Sequence, residues 1–220
     1  MTKKALIIGG SSGLGLEIAR LLQKEYEVVI TGRRDPRIPD LNFQSLELNS
    51  DSLAALLDMF VADLPEIDLV VYAAGFFQEG NISDLSDVDI ENMNRVGLLA
   101  PAMLLQRILS KQTKLSGLIA ITSTSQWTPR HLEPMYTAVK AGLGMLANSI
   151  SLDRRVEKVL VLGPAGMRTR FWKEDGCDTS NMLDPAWVAT ETMKLWAEDF
   201  KYKFARALRN PARVEVVETR

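Results

Sequence analysis

The feature that most constrains this chain lies within its first twenty-two residues. Ala5-Leu6-Ile7-Ile8 is an uninterrupted apolar run, and Gly9-Gly10-Ser11-Ser12-Gly13-Leu14-Gly15 follows it directly. Leu16, Ile18, Ala19, Leu21 and Leu22 then recur at helical spacing. A buried strand, a glycine-rich turn and a helix in that order form one half of a β-α-β unit, and such a unit closes only when a parallel strand follows. Glycines let the backbone turn tightly and approach a ligand, and the helix N-terminus behind them attracts negative charge. The turn therefore has the context of a dinucleotide phosphate site, with G-x-x-x-G-x-G spacing in place of G-x-G-x-x-G.

The rest of the chain repeats the alternation. Strands are expected at Glu27–Thr31, Phe43–Leu48, Ile67–Tyr72, Gly117–Thr122 and Lys158–Leu162, with Val214–Val217 as a last one. Helices are expected over 51–62, 87–111, 134–154 and 184–199, the last started by an N-cap Asp184 with Pro185 behind it. Lys201–Leu208 is basic and reads as a further helix. Strand and helix in turn imply an α/β fold of Rossmann type, a doubly wound parallel sheet with helices on both faces. Residues 1–220 are expected to form one nucleotide-binding domain, with a small lid segment near 168–183.

Composition removes several classes of function. A net charge of −2 gives no basic footprint, so nucleic acid is not an expected partner. One cysteine, Cys177, allows no internal disulfide, and one histidine, His131, leaves no material for a histidine-rich metal site; no metal is expected. No apolar run reaches the length of a membrane span and no secretory leader is visible, so the expected location is the cytoplasm, with no membrane partner.

The chemistry points to Tyr136-Thr137-Ala138-Val139-Lys140. Tyr and Lys four apart on a helix share a face. A phenol ionises near ~10, and an adjacent cation lowers that value, so the pair is suited to moving a proton to or from an oxygen near neutrality. Ser123-Thr124-Ser125 follows the fifth strand, with Ser123 thirteen residues before Tyr136 and Ser125 as the second choice. A serine there is placed to donate to a carbonyl oxygen on which charge grows.

Taken together, the glycine loop, the serine and the Tyr-x-x-x-Lys resemble the short-chain dehydrogenase/reductase family in its classical form, in the right order and over nearly the whole chain. The resemblance implies that Ser123, Tyr136 and Lys140 are catalytic and that Lys140 also holds the nicotinamide ribose. It implies cofactor contacts from Gly9, Ser11, Ser12, Gly13, Leu14 and Gly15, from Ala74 and Gly75, and from Tyr136 and Lys140. It extends them to Pro164, Met167 and Thr169, with Thr169 on the nicotinamide amide. Glu47 or Asn49 would stand by the adenine. The second strand ends in Gly32-Arg33-Arg34, where an acid would hold a ribose 2′-hydroxyl and arginines accept a 2′-phosphate. NADP(H) is therefore expected over NAD(H), with Asp35 the residue that would argue otherwise.

Two departures stand out. Tyr72-Ala73-Ala74-Gly75 replaces the family's Asn-Asn-Ala-Gly, and Val96-Gly97-Leu98 replaces its Val-Asn-Leu, whose asparagine helps hold a water in the proton path. A kink or close packing is expected at Gly97, and Asn94, one turn earlier, is the available substitute. Trp127, His131 and Met135 are candidates to line the pocket, as are Phe76, Phe77, Phe171 and Trp172. The resulting expectation is an oxidoreductase interconverting a carbonyl and an alcohol on a small apolar substrate, as a homodimer or homotetramer. The alternative is an NADP(H)-binding regulator or scaffold with little turnover.

Overall fold

In the computed structural model, which describes residues 2–169, 171 and 178–220, eight strands form one sheet in the order β3-β2-β1-β4-β5-β6-β7-β8. The strands are β1 (Lys3–Ile8), β2 (Tyr26–Gly32), β3 (Asn42–Ser45), β4 (Leu69–Tyr72), β5 (Gly117–Ile121), β6 (Val159–Pro164), β7 (Tyr202–Leu208) and β8 (Arg213–Thr219). All neighbouring pairs from β3 to β7 are parallel, and only β8 runs antiparallel, against β7. Strand order reverses after β1, which opens a crevice outside the carboxyl ends of β1 and β4. The central strands β4, β5 and β6 are buried along their whole length, which explains why they read as continuous apolar runs and not as alternation.

The helices are α1 (Gly13–Leu22), α2 (Leu53–Asp63), α3 (Asp87–Asn94), α4 (Ala100–Lys111), α5 (Pro134–Ile150) and α6 (Pro185–Ala197). All but α3, which buries only Met93, present an apolar stripe to one sheet face. Leu57 and Phe60 of α2, Leu104 and Ile108 of α4, and Leu143 and Ala147 of α5 pack with alternate residues of the strands into one core. Leu14 and Ile18 of α1 pack with Val188 and Leu195 of α6 into the other core, on the opposite face.

Two expectations are corrected. The single helix expected over 87–111 is broken by a π-helical turn at Arg95–Leu99, with Gly97 inside it. The kink or close packing anticipated at Gly97 takes this form: a Cβ there would stand 2.9 Å from Val139 Cγ2. The basic segment 201–208 is a strand, not a helix. Its Lys, Ala, Arg and Leu favour helix locally, but cross-strand packing decides strand conformation. Lys203 is buried and pairs with Glu198, while the Arg206 guanidinium stacks 4.4 Å from the Trp127 ring. Both charges are thereby accommodated within the sheet, and β7 can pair on both edges.

Candidate active site

A cleft of about 490 Å³ opens at the carboxyl ends of the strands. Five chain segments build its nucleotide-sized half. The β1–α1 turn contributes Gly9, Ser11, Ser12, Gly13, Leu14 and Gly15. Gly9 has φ +81°, and a Cβ on it would stand 2.6 Å from the Ala74 nitrogen. A Cβ on Gly15 would stand 2.3 Å from the Gly9 carbonyl oxygen. Side chains are sterically excluded at both positions, so the turn presents bare backbone at the start of α1. Ser12 occupies the N-cap of α1 in extended backbone, yet its hydroxyl caps no helical N–H. The orphan donors of the first turn therefore face the cleft, the arrangement that suits a phosphate.

Beyond that turn the cleft is lined by Arg33, by Glu47 and Asn49 after β3, by Ala74 and Gly75 after β4, and by Pro164, Met167 and Thr169 after β6. Arg34 lies off it. Arg33 and Arg34 are exposed, and among the described residues neither is in an ion pair. Asp35 accepts from the Arg37 backbone N–H at 2.7 Å, a local turn that turns its carboxylate back on its own loop. The Asn49 side-chain oxygen is buried without a hydrogen-bond partner. Bare backbone at a helix N-terminus, a free guanidinium and an unpaired buried amide oxygen beside one cleft fit a phosphorylated dinucleotide.

The reactive half is assembled by β5 and α5. Tyr136 and Lys140 stand on the buried face of α5, 8% and 4% exposed. Lys140 Nζ donates to the Ile121 carbonyl at 3.2 Å and lies 5.7 Å from the centre of the Tyr136 ring. Burial pulls the Lys140 ammonium down to about 8. Burial also pushes the Tyr136 phenol up; a hydrogen bond with Ser123 opposes this and the charge of Glu133 adds to it. In the protein alone, desolvation outweighs the cation that was expected to lower this phenol. Ser123 lines the cleft, accepts from the Ser125 backbone N–H at 3.1 Å, and donates to the Ser125 hydroxyl at 3.3 Å.

Phe77 meets the Tyr136 ring edge-on, with centroids 5.0 Å apart, and Phe171 lies 6.0 Å from Phe77. These rings, with Phe76, Met167 and Met182 in the cleft wall, give the site an apolar side. Trp127 does not take part: it packs against Phe204 of β7, 5.5 Å away, and against Gly163 of β6. His131 is exposed, and neither it nor Met135 lines the cleft. Asn94 is exposed and also off the cleft, so it offers no replacement for the side chain that Gly97 lacks. Part of the segment expected as a lid, Arg170 and Trp172–Cys177, lies outside the described residues. Glu133, Arg130 and Arg209 line the cleft and were not singled out from the sequence. Glu133 had a signal, an acid one turn before Tyr136; Arg209 was hidden by the misread strand β7.

This geometry has known counterparts. A family model described as short chain dehydrogenase matches residues 3–179. The chain belongs to that family. Nodulation protein G of Rhizobium sp. (strain N33) is 28% identical over 173 residues, covering 72% of this chain and 70% of its own length. The uncharacterized oxidoreductase DltE of Bacillus subtilis (strain 168) is 30% identical over 164 residues, covering 68% of this chain and 63% of its own. Among solved structures, a short-chain dehydrogenase from Sphingobium yanoikuyae in complex with NADPH superposes with a TM-score of 0.77 at 19% identity, over 88% of this chain and 84% of that one. ElxO with NADP bound gives 0.78 at 18% identity, over 94% and 97%. These two likenesses establish the Rossmann-type fold of the family, and the family is one of oxidoreductases.

Proposed function

We propose that this protein is an NADP(H)-dependent oxidoreductase that interconverts a carbonyl and an alcohol on a small, largely apolar substrate. One observation carries the reading: Ser123, Tyr136 and Lys140 share a single cleft with the bare β1–α1 turn and Arg33. The dinucleotide, when bound, supplies or accepts hydride. The residues of the chain bind, orient and move the proton. Backbone N–H groups of Ser12–Gly15 would hold the pyrophosphate, Arg33 the 2′-phosphate, and Asn49 the adenine edge. Thr169, which abuts Gly13, would hold the nicotinamide amide. In reduction, the Ser123 hydroxyl donates to the substrate oxygen and Tyr136 delivers a proton to it. Lys140 keeps positive charge beside the developing phenolate, which favours proton release from a phenol that burial otherwise holds neutral. The Phe77 and Phe171 rings beside Tyr136 support an apolar substrate. The same fold holds NADPH in the Sphingobium protein and NADP in ElxO, which is in keeping with this choice of cofactor.

Gly97 favours a second reading, a protein that binds NADP(H) with little turnover, because it removes a polar side chain from the proton path. Tyr136→Phe separates the two. The expected result is loss of carbonyl reduction by ~100-fold or more with NADPH binding retained, since a positioned proton donor contributes about that much. Unchanged turnover in that variant would remove Tyr136 from the mechanism.

A further inference from the structure

We propose that Glu133 exchanges the reaction's proton with solvent through a relay of two serine hydroxyls, Ser125 and Ser123, that ends at Tyr136. The inference rests on the reading of Tyr136 as the proton donor and goes beyond it. It answers a question the site raises: once Tyr136 has given or taken a proton, it must be reset, and the route through a side chain at position 97 does not exist here. Position 97 is glycine, and a Cβ there would run into Val139. Lys140 Nζ is turned to the Ile121 carbonyl.

A chain of hydrogen bonds leads away in the other direction from Ser123, which lines the cleft with Tyr136 and favours the ionised form of that phenol. Ser123 Oγ donates to Ser125 Oγ at 3.3 Å, and Ser125 Oγ donates to Glu133 Oε2 at 2.7 Å. The last distance is that of a charge-assisted bond to a carboxylate. Ser125 is 4% exposed, so its hydroxyl is held between its two partners and screened from water. Glu133 is half-buried and lines the cleft, so its carboxyl reaches both the relay and solvent. Its placement is telling in a second way. Glu133 is the N-cap residue of α5, where a carboxylate would ordinarily accept from the first-turn N–H groups. Its side chain caps none of them and turns to Ser125 instead. Arg130, Arg209, Tyr136 and Lys140 are the other charged or titratable groups at this end of the cleft.

Each hydroxyl both donates and accepts, so a proton can pass in either direction when every bond shifts together. In alcohol oxidation the substrate O–H bond breaks and its proton passes to the Tyr136 phenolate. Tyr136 releases one to Ser123, Ser123 one to Ser125, and Ser125 one to the Glu133 carboxylate, which returns it to water. The electron pair of the C–H bond leaves as hydride on the nicotinamide cofactor. Reduction runs every step in reverse.

The test uses single-turnover oxidation of bound NADPH by 4-nitrobenzaldehyde, an activated apolar carbonyl, with NADPH affinity measured separately by fluorescence. Glu133→Gln and Ser125→Ala are expected to slow the turnover step ~10-fold or more with NADPH affinity within twofold of the parent. Glu133→Asp should keep most of the rate. Formate added to Glu133→Ala should restore rate in proportion to its concentration, which a lost structural contact would not allow. A Glu133→Gln rate within twofold of the parent, or a slow variant that formate does not rescue, overturns the relay. Tyr136→Phe serves as the control for the underlying reading. If the parent protein does not turn over the aldehyde, the proposed activity is what fails for that probe. The relay is then judged on the protein alone, by the carbon-13 chemical shift of the Tyr136 ring carbon that bears the hydroxyl. That shift should move in both Ser125→Ala and Glu133→Gln, because hydrogen bonds in a chain polarise one another. A chemical shift unmoved by either change sinks the relay.

Discussion

The Tyr72 hydroxyl donates to the Val96 carbonyl at 2.5 Å across the buried interface between β4 and the π-helical turn. The two stretches in which the chain departs from its family's pattern, 72–75 and 96–98, are thereby joined. A π-turn shifts the backbone register by one residue and leaves carbonyls without their usual helical donors. Tyr72 is 1% exposed, long enough to span from the strand, and carries a donor at its tip. The asparagine usual at position 72 in the family is too short to do the same from the centre of the sheet. Burial also pushes the Tyr72 phenol up, so it stays protonated and remains a donor.

Tyr72→Phe is therefore expected to destabilise the fold by about 1–3 kcal/mol, the cost of leaving a buried carbonyl unpaired. The ring, and so the packing, is kept. Urea unfolding measures the loss, and NADPH affinity should change little because Tyr72 does not line the cleft. A stability equal to the parent's would mean that the π-turn satisfies Val96 some other way.

Restoring a side chain at position 97 should fail. In an ordinary helix, Gly→Ala gains up to ~1 kcal/mol, but inserting carbon into a packed contact costs about 1–3 kcal/mol. The contact here is Val139 Cγ2 at 2.9 Å, on a β-branched residue that is 2% exposed and has little rotamer freedom. The clash should win, so Gly97→Ala lowers stability and Gly97→Asn does not raise turnover. In the Gly97→Ala/Val139→Ala double variant the two losses should fall short of additive by ~1 kcal/mol. Additive losses in urea unfolding would show that residue 97 has room.

How far the sequence disclosed this site follows from the kind of contact involved. Gly9, Gly13 and Gly15 were legible because their backbone geometry permits few other residues, and Tyr136 and Lys140 because a helix fixes which residues share a face. Strands β4 to β6 were legible because burial on both faces leaves long apolar runs. What escaped are contacts made by loops and by sheet pairing. Nothing local says that Trp127 packs against β7 to meet Arg206, or that Glu133 forgoes its own helix for Ser125, eight residues back in the chain. Strand β7 was misread because its residues favour helix singly and become strand only when β6 and β8 flank them. The register slip at Arg95–Leu99 leaves no mark in the apolar pattern, since Val96 within it and Ala100 just after it are both buried.

Arginine at the end of β2 should decide cofactor choice. Arg33 lines the cleft and Arg34 does not. A charge-assisted hydrogen bond contributes about 1.5–3 kcal/mol, so Arg33→Ala should weaken NADPH binding by ~10-fold or more and leave NADH binding within twofold. Arg34→Ala should have the smaller effect. Fluorescence titration with both cofactors checks this. Equal losses for NADPH and NADH would place Arg33 outside phosphate recognition.

Lys140 gives the stability a pH dependence with a definite sign. Burial lowers its folded value from 10.5 to about 8. Between those values the unfolded chain carries a proton at this site that the folded protein has lost. Stability therefore rises with pH across the window, and the cost of burying the ammonium is fully present below it. A shift of this size corresponds to ~3 kcal/mol for a fully buried group. Lys140→Met keeps the volume and removes the charge, so it should gain stability relative to the parent below pH 8. That advantage should shrink as pH approaches 10.5. Urea unfolding of both proteins across this range, with the difference plotted against pH, cancels the titrations they share. A flat difference would mean that the ammonium keeps its solvation in the folded state. The same substitution should weaken NADPH binding and abolish turnover, so the cation is retained for its work in the cleft at a cost to the fold.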